Sequence, residues 1–267
     1  MQAKSRLDVL IAERGLCESR ERARQMIMAG RVTVNGRRAE KPGQAVAAED
    51  EIALVGKDMP YVSRGGLKLE KALQVFPIAP EGMVALDVGA STGGFTHCLL
   101  LGGARKVYAV DVGYGQLDWR LRNDPRVVVM ERTNARYLGE AALGERVDIA
   151  VSDVSFISLR LILPAIAACL KPGGCAMVLV KPQFEAGREQ VGKKGVVRDP
   201  AVHLEVLERV WAYAEQAGLF PAGLSFSPVT GPQGNIEFLL YLLDRPTALP
   251  EELARSVVEE AHRCLDK

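Results

Sequence analysis

Between residues 83 and 181 the chain alternates short, β-branched apolar runs with stretches of helical spacing. "MVALDVG" (83–89), "KVYAVDVG" (106–113), "RVVVME" (126–131), "VDIAVSDVS" (147–155) and "CAMVLVK" (175–181) read as buried strands. Segments 93–103, 159–170 and 200–217 read as helices. Strands joined by crossover helices run parallel, with both sheet faces covered. Two more strands, near 222–227 and 235–242, are separated by "SPVTGPQGN", too short for a crossover helix, so that pair is expected antiparallel. The expected class is α/β, with a seven-stranded, mainly parallel, Rossmann-like sheet.

The chain before residue 56 follows a different pattern. "RLDVLIAER" (6–14) places Leu7, Leu10 and Ile11 at helical spacing, with Gly15 as the stop. Ser19 can cap a second helix, "RERARQMIMA", that ends at Gly30 and puts Arg20 and Arg24 on one face. Val32 and Val34 alternate, and Asn35-Gly36 is a hairpin signal. "GKDMP" (56–60) reads as a connecting segment. The expected division is a small α+β domain over 1–55, a linker over 56–63 and a larger domain over 64–267. A length of 267 residues, with 48% apolar and 25% charged residues, is enough for two unequal cores.

Net charge is +1, yet ten basic residues face five acidic ones up to Gln44. Such a local excess suits a polyanion partner, and it equally suits a solvated helix face. The five cysteines form no C-x-x-C pair and there are only three histidines, which argues against a metal site. Free thiols fit a reducing cytoplasm. No run reaches the roughly 18 apolar residues of a membrane span, and the N-terminus lacks the apolar stretch of a signal peptide, so no membrane partner is expected.

"LDVGASTGGFT" (86–96) follows the first strand of the sheet and opens a helix. Its glycines let the backbone turn sharply and come close to a ligand. Asp87 ends that strand, and Asp111 ends the next, where a carboxylate can hold ribose hydroxyls. The run is not G-x-G-x-x-G, since Ser91 occupies the second glycine position, so a dinucleotide pyrophosphate is not provided for. That counts against a nicotinamide-dependent oxidoreductase. The motif resembles the S-adenosylmethionine loop of class I methyltransferases, and "LKPGGCAMVLV" (170–180) resembles their turn before the fifth strand. The resemblance implies Asp87, Gly89, Ala90, Ser91, Gly93, Gly94, Phe95, Asp111 and Asp153 as cofactor contacts.

Ligands of open α/β sheets bind at the carboxyl ends of strands. Asp153 ends the fourth strand and Lys181 the fifth, where a lysine followed by Pro182 is an odd way to close an apolar run. "DVSF" (153–156) lacks both prolines of the motif used by amine-methylating enzymes, and Cys175 lies at the amino end of its strand, away from any cytosine C5 chemistry. Lys68, Asp153, Lys181 and Glu237 together resemble the K-D-K-E tetrad of FtsJ-type ribose 2′-O-methyltransferases. "YVSRGGLKLEKAL", "VYAVDVGYGQL", "SDVSFISL", "VLVKPQFE", "KGVVRD" and "GNIEFLLYL" are similar, in this order, to the TlyA (haemolysin A-type) ribosomal RNA methyltransferases, and the N-terminal part is similar to their S-four RNA-binding domain.

This resemblance implies S-adenosylmethionine-dependent 2′-O-methylation of cytidine in ribosomal RNA, with RNA or ribosomal subunits as partners. Lys181 is expected to be the base or activator of the 2′-oxygen, and Asp153 and Glu237 to fix the ammonium groups of Lys181 and Lys68. Arg6, Arg20, Arg24, Arg31, Arg37, Arg38, Arg64, Arg188, Lys193 and Lys194 are the expected RNA contacts. Segment 182–199 reads as a mobile RNA-contacting lid or as a plain solvated loop. The rival reading from another class is a non-catalytic assembly factor with a vestigial methyltransferase fold.

Overall fold

The structure, a computed structural model, describes residues 4–28, 30–39, 41–54, 60–247, 249–250 and 252–265. It divides into two units, Met1–Asp58 and Met59–Lys267. Half of the expected linker, residues 56–59, lies outside the described residues, as does residue 55. Residues 61–63 pack within the second unit: Tyr61 Oη donates to Glu70 at 3.0 Å, and the Val62 N–H donates to His97 Nδ1 at 3.2 Å.

The first unit runs β1 (Lys4–Arg6), α1 (Leu7–Glu13), α2 (Arg20–Met28), β2 (Val32–Val34), β3 (Arg37–Arg38), β4 (Ala45–Ala47) and β5 (Ile52–Leu54). β2 pairs antiparallel with both β3 and β5, and β1 with β4. The Ser19 hydroxyl caps α2 by accepting the Arg22 N–H at 3.2 Å. Asn35 and Gly36 take φ of 50° and 74°, as a tight hairpin turn requires. Leu7, Ile11, Ala23, Ile27, Val32 and Val46 fill a core of the unit's own.

The second unit opens with α3 (Gly65–Val75). Then come β6 (Val84–Val88), α4 (Gly94–Leu101), β7 (Lys106–Val110), α5 (Trp119–Arg122), β8 (Val127–Met130) and α6 (Glu140–Leu143). β9 (Val147–Ser152), α7 (Leu163–Cys169), β10 (Leu170–Val180) and α8 (Pro182–Glu185) follow. α9 (Pro200–Gln216), β11 (Phe220–Phe226), β12 (Phe238–Leu243) and α10 (Glu252–Leu265) complete it. The seven-stranded sheet has the order β11-β12-β10-β9-β6-β7-β8. β12 runs antiparallel to β10 and β11, and the remaining pairs are parallel. Residues on β6 alternate between faces. Val84, Leu86 and Val88 join the core under α7, α9 and α10, while Ala85 joins the one under α3 and α4.

Several elements differ from the sequence reading. β10 begins at Leu170 rather than 175, with a register shift before Cys175 where Gly173 takes φ 79°. The expected helix 159–170 resolves into a 3₁₀ turn, Leu159–Leu161, followed by α7, because Pro164 is tolerated only in a helix's first turn. α3 and α10 were not read as helices; α10 buries Ala254, Val257, Val258 and Ala261 along one stripe.

Candidate active site

Four charged side chains meet at the carboxyl edge of the sheet. β9 and β10 are parallel neighbours with Ser152 opposite Val178, so Asp153 and Lys181 leave the sheet on the same side. β12 is antiparallel and pairs Phe238 with Val180, so it begins where β10 ends and carries Glu237 to that edge. Lys68 comes from the second turn of α3. Its Nζ donates to Glu237 Oε2 at 2.7 Å and to Asp153 Oδ2 at 3.1 Å. Lys181 Nζ lies 2.5 Å from Asp153 Oδ1. The result is a chain, Glu237–Lys68–Asp153–Lys181, rather than a convergence of three groups on Lys181. Glu237 is paired with Lys68.

Both lysines and Glu237 are buried, and Asp153 nearly so. Burial raises the Asp153 carboxyl, but the Lys68 and Lys181 cations outweigh it and hold it below the ordinary carboxylate value. Two cations balance two anions, so removing one partner strands an opposite charge in a dry place, at about 3–5 kcal/mol.

The glycine-rich loop borders this cluster. The Ser91 N–H donates to Asp111 Oδ2 at 2.8 Å, and the Gly113 N–H donates to Asp111 Oδ1 at 2.6 Å. Asp111 thus ties two loops together and keeps a lone pair on each oxygen for a ligand. At two of the loop glycines packing also excludes a side chain. A Cβ at Gly93 would meet Leu121, and one at Gly94 would meet the Gly66 nitrogen, so both are small because α5 and α3 pack there. Gly93 also holds φ 93° at the start of α4.

Two adjoining cavities open beside the loop. The larger, about 580 Å³, is lined by Gly89, Ser91, Asp111, Asn134 and Phe156 among others. The smaller, about 280 Å³, is lined by Arg64, Lys68, Ala90, Gly94, Phe95, Lys181 and Glu237. Asp87 reaches neither. It is fully buried beneath the loop, accepts from Thr96 Oγ1 at 2.7 Å, and has no hydrogen-bond partner at Oδ1. Burial pushes its carboxyl up to about 7, against the pull of Thr96. S-adenosylmethionine fits these residues: the larger cavity has the size of a small-ligand site, and Asp111 can take ribose hydroxyls.

Cys175 is a core residue whose thiol burial pushes up to about 11, so it offers no nucleophile. Segment 182–199 is not a free lid. Asn235 Nδ2 donates to the Gly195 carbonyl at 2.9 Å, and Asn235 Oδ1 accepts the Val197 N–H at 3.1 Å. Val196 and Val197 are buried, while Arg188, Lys193 and Lys194 on the same segment are exposed.

In the first unit, Arg6 and Arg20 both bond the buried Asp8, at 2.9 and 3.1 Å. The Arg6 hydrogen bond holds the Asp8 carboxyl down to about 2. Arg24 pairs with Glu21 at 3.7 Å, and Arg37 and Arg38 form the exposed strand β3. Arg31 is half-buried.

Sequence reasoning missed three residues around the cluster. Ser155 Oγ accepts from Lys181 Nζ at 2.8 Å. Phe156 is exposed, takes φ 62° and packs on Phe184 at 4.9 Å between centroids. Glu185 accepts from Ser158 Oγ and the Leu159 N–H, each at 2.7 Å. A serine two residues past an aspartate carries no signal of its own, and a left-handed phenylalanine has none at all.

Known proteins align with this arrangement along the whole chain. Residues 61–243 match the FtsJ-like methyltransferase family and residues 5–52 match the S4 domain. YqxC of Bacillus subtilis (strain 168) is 55% identical over 268 residues, covering 98% of this chain and 95% of YqxC. The 16S/23S rRNA (cytidine-2′-O)-methyltransferase TlyA of Mycobacterium tuberculosis (strain ATCC 25618 / H37Rv) is 46% identical over 269 residues, covering 100% of this chain and 99% of TlyA. A solved structure of a Streptococcus thermophilus protein that carries a hemolysin name superposes with a TM-score of 0.79 at 49% identity, covering 100% of this chain and 98% of the other. With its two matched domains and its full-length relatives, the chain belongs to the TlyA family of S-adenosylmethionine-dependent, FtsJ-like methyltransferases that carry an N-terminal S4 domain.

Proposed function

We propose that this enzyme methylates the 2′-hydroxyl of cytidine in ribosomal RNA, of the large subunit and also of the small one, and that it does so in the cytoplasm. The observation that carries the reading is the buried ion-pair chain Glu237–Lys68–Asp153–Lys181 beside the cofactor cavity. Such a cluster has no thiolate for attack at a carbon and no proline-framed aromatic for an exocyclic amine.

S-adenosylmethionine, when bound, supplies an electrophilic methyl group on sulfonium sulfur. The protein's part is to place the acceptor oxygen and to manage its proton. We assign Lys181 to the 2′-oxygen. Asp153 holds the Lys181 and Lys68 ammonium groups at once, and Glu237 anchors Lys68 from the far side. Asp87, Gly89, Ala90, Ser91, Gly93, Gly94, Phe95 and Asp111 are assigned to the cofactor loop. Arg64, Arg188, Lys193, Lys194 and the arginines of the first unit are assigned to RNA phosphates, which supply affinity rather than sequence reading.

Incubating the protein with S-adenosylmethionine and unmodified ribosomal RNA or subunits, then analysing the digested nucleosides by mass spectrometry, tests this. The expected product is 2′-O-methylcytidine. A methyl group on a base, or stoichiometric transfer without turnover, overturns the reading.

A further inference from the structure

The seam between the two cavities is lined from both sides by Gly89, Ser91, Asp153 and Ser155. It carries two hydroxyls. Ser91 Oγ faces Gln116 Oε1 at 3.4 Å. Ser155 Oγ accepts from Lys181 Nζ at 2.8 Å, and the same nitrogen lies 2.5 Å from Asp153 Oδ1. A serine oxygen that accepts one hydrogen bond still has its own hydrogen to give. An ammonium has no lone pair to take it. Among the described residues no acceptor takes the Ser155 hydrogen.

This placement is built rather than incidental. The loop after β9 turns at Phe156, whose φ of 62° is a strained conformation for a bulky residue. Such strain persists only where the surroundings hold it. Here they do: Glu185, buried and three residues from Pro182, accepts from both Ser158 and Leu159. One carboxylate therefore staples the loop that bears Ser155 to the loop that bears Lys181.

We propose that Ser155 is a catalytic residue, whose hydroxyl donates to the 2′-oxygen of the target ribose in the chain Lys181 Nζ–H···Oγ–H···O2′. The proposal rests on the function proposed above. An O–H whose oxygen accepts from a cation is a stronger donor. It stabilises the 2′-oxygen most as the O–H bond breaks and the proton leaves to solvent. The electron pair left on oxygen forms the new bond to the methyl carbon. The carbon–sulfur bond breaks, and its pair stays on sulfur. The Ser155 bond is strongest while charge is on the oxygen, so it lowers the barrier more than it strengthens binding.

The test compares full-length wild type with Ser155→Ala and Ser155→Thr. The expected result is a fall in kcat of about 100-fold for Ser155→Ala, the low end for loss of one donor to a developing oxyanion. Its Kd for S-adenosylmethionine and its Tm stay unchanged, its KM for RNA rises far less than kcat falls, and Ser155→Thr, which keeps a hydroxyl, recovers most of the rate. Binding of RNA with 2′-deoxycytidine at the target site separates direct contact from an effect through Lys181. Wild type should lose affinity on that change, and Ser155→Ala, which keeps only the Lys181 contact, should lose less. Normal kcat in Ser155→Ala, equal losses in the two proteins, or no rescue by threonine overturns the proposal. The wild-type product is read in parallel. If it is not 2′-O-methylcytidine the function proposed above fails, whereas a correct product with an unaffected Ser155→Ala fails the serine alone.

Discussion

Asp153 is bonded to two lysines at once, and that sharing sets what single substitutions do. Lys181→Ala leaves Asp153 still paired with Lys68, and Lys181 itself lines only the smaller cavity. Methyl transfer should fall by more than about 100-fold, while S-adenosylmethionine binding by calorimetry stays near wild type; near-normal turnover would remove Lys181 from its assigned role. Asp87 poses the opposite case, a carboxylate with its folded value pushed up to about 7. The unfolded chain ionises it near pH 4, so between about 4 and 7 the folded state holds more protons and stability declines as pH rises. Asp87→Asn should flatten that decline and leave the protein without cofactor more stable at pH 8, as thermal unfolding across pH 5–9 would show. Lys181 was legible as a charge closing an apolar run, whereas Lys68, Asp153 and Glu237 were legible as a set only through their resemblance to the K-D-K-E tetrad. Ser155 and Glu185 were not, since their roles come from partners 26 and 27 residues away with no periodicity to mark them.

At the scale of elements, β12 and the loop before it do two jobs. The strand delivers Glu237 to Lys68, and Asn235, two residues earlier, pins the basic segment through both ends of its amide. Asn235→Ala would leave the buried Val197 N–H without that acceptor, at about 1–3 kcal/mol. The segment should then become sensitive to limited proteolysis, and KM for RNA should rise with Kd for S-adenosylmethionine unchanged. Increased proteolysis with an unchanged KM would show the segment to be irrelevant to RNA. The parallel strands were legible from their β-branched content, and the antiparallel pair from a loop too short for a helix. α3 was obscured by the two glycines that open it, which disfavour helix locally but let it pack on α4. α10 was obscured because alanine provides half of its buried stripe.

The whole molecule consists of two units with separate cores. Removing residues 1–58 should leave residues 59–267 able to bind S-adenosylmethionine but not to methylate RNA. Full-length protein should bind RNA with a steep salt dependence that the truncated form loses, measured as the slope of log K against log salt. Arg6 and Arg20 share the Asp8 carboxylate, so together they count as one net positive charge in that slope. The division itself was legible from the change of hydrophobic period and of charge near residue 55. Lys68 and Glu237 are 169 residues apart in the chain, yet directly bonded. β12, which brings Glu237, is inserted between β10 and β11 rather than added at an edge. As the protein leaves the ribosome, then, its first five sheet strands can assemble without it, but β11 joins the sheet only when this late strand arrives. A chain interrupted before residue 237 is therefore inert as well as incomplete, and the last stretch of sheet to form is also the one that arms the enzyme.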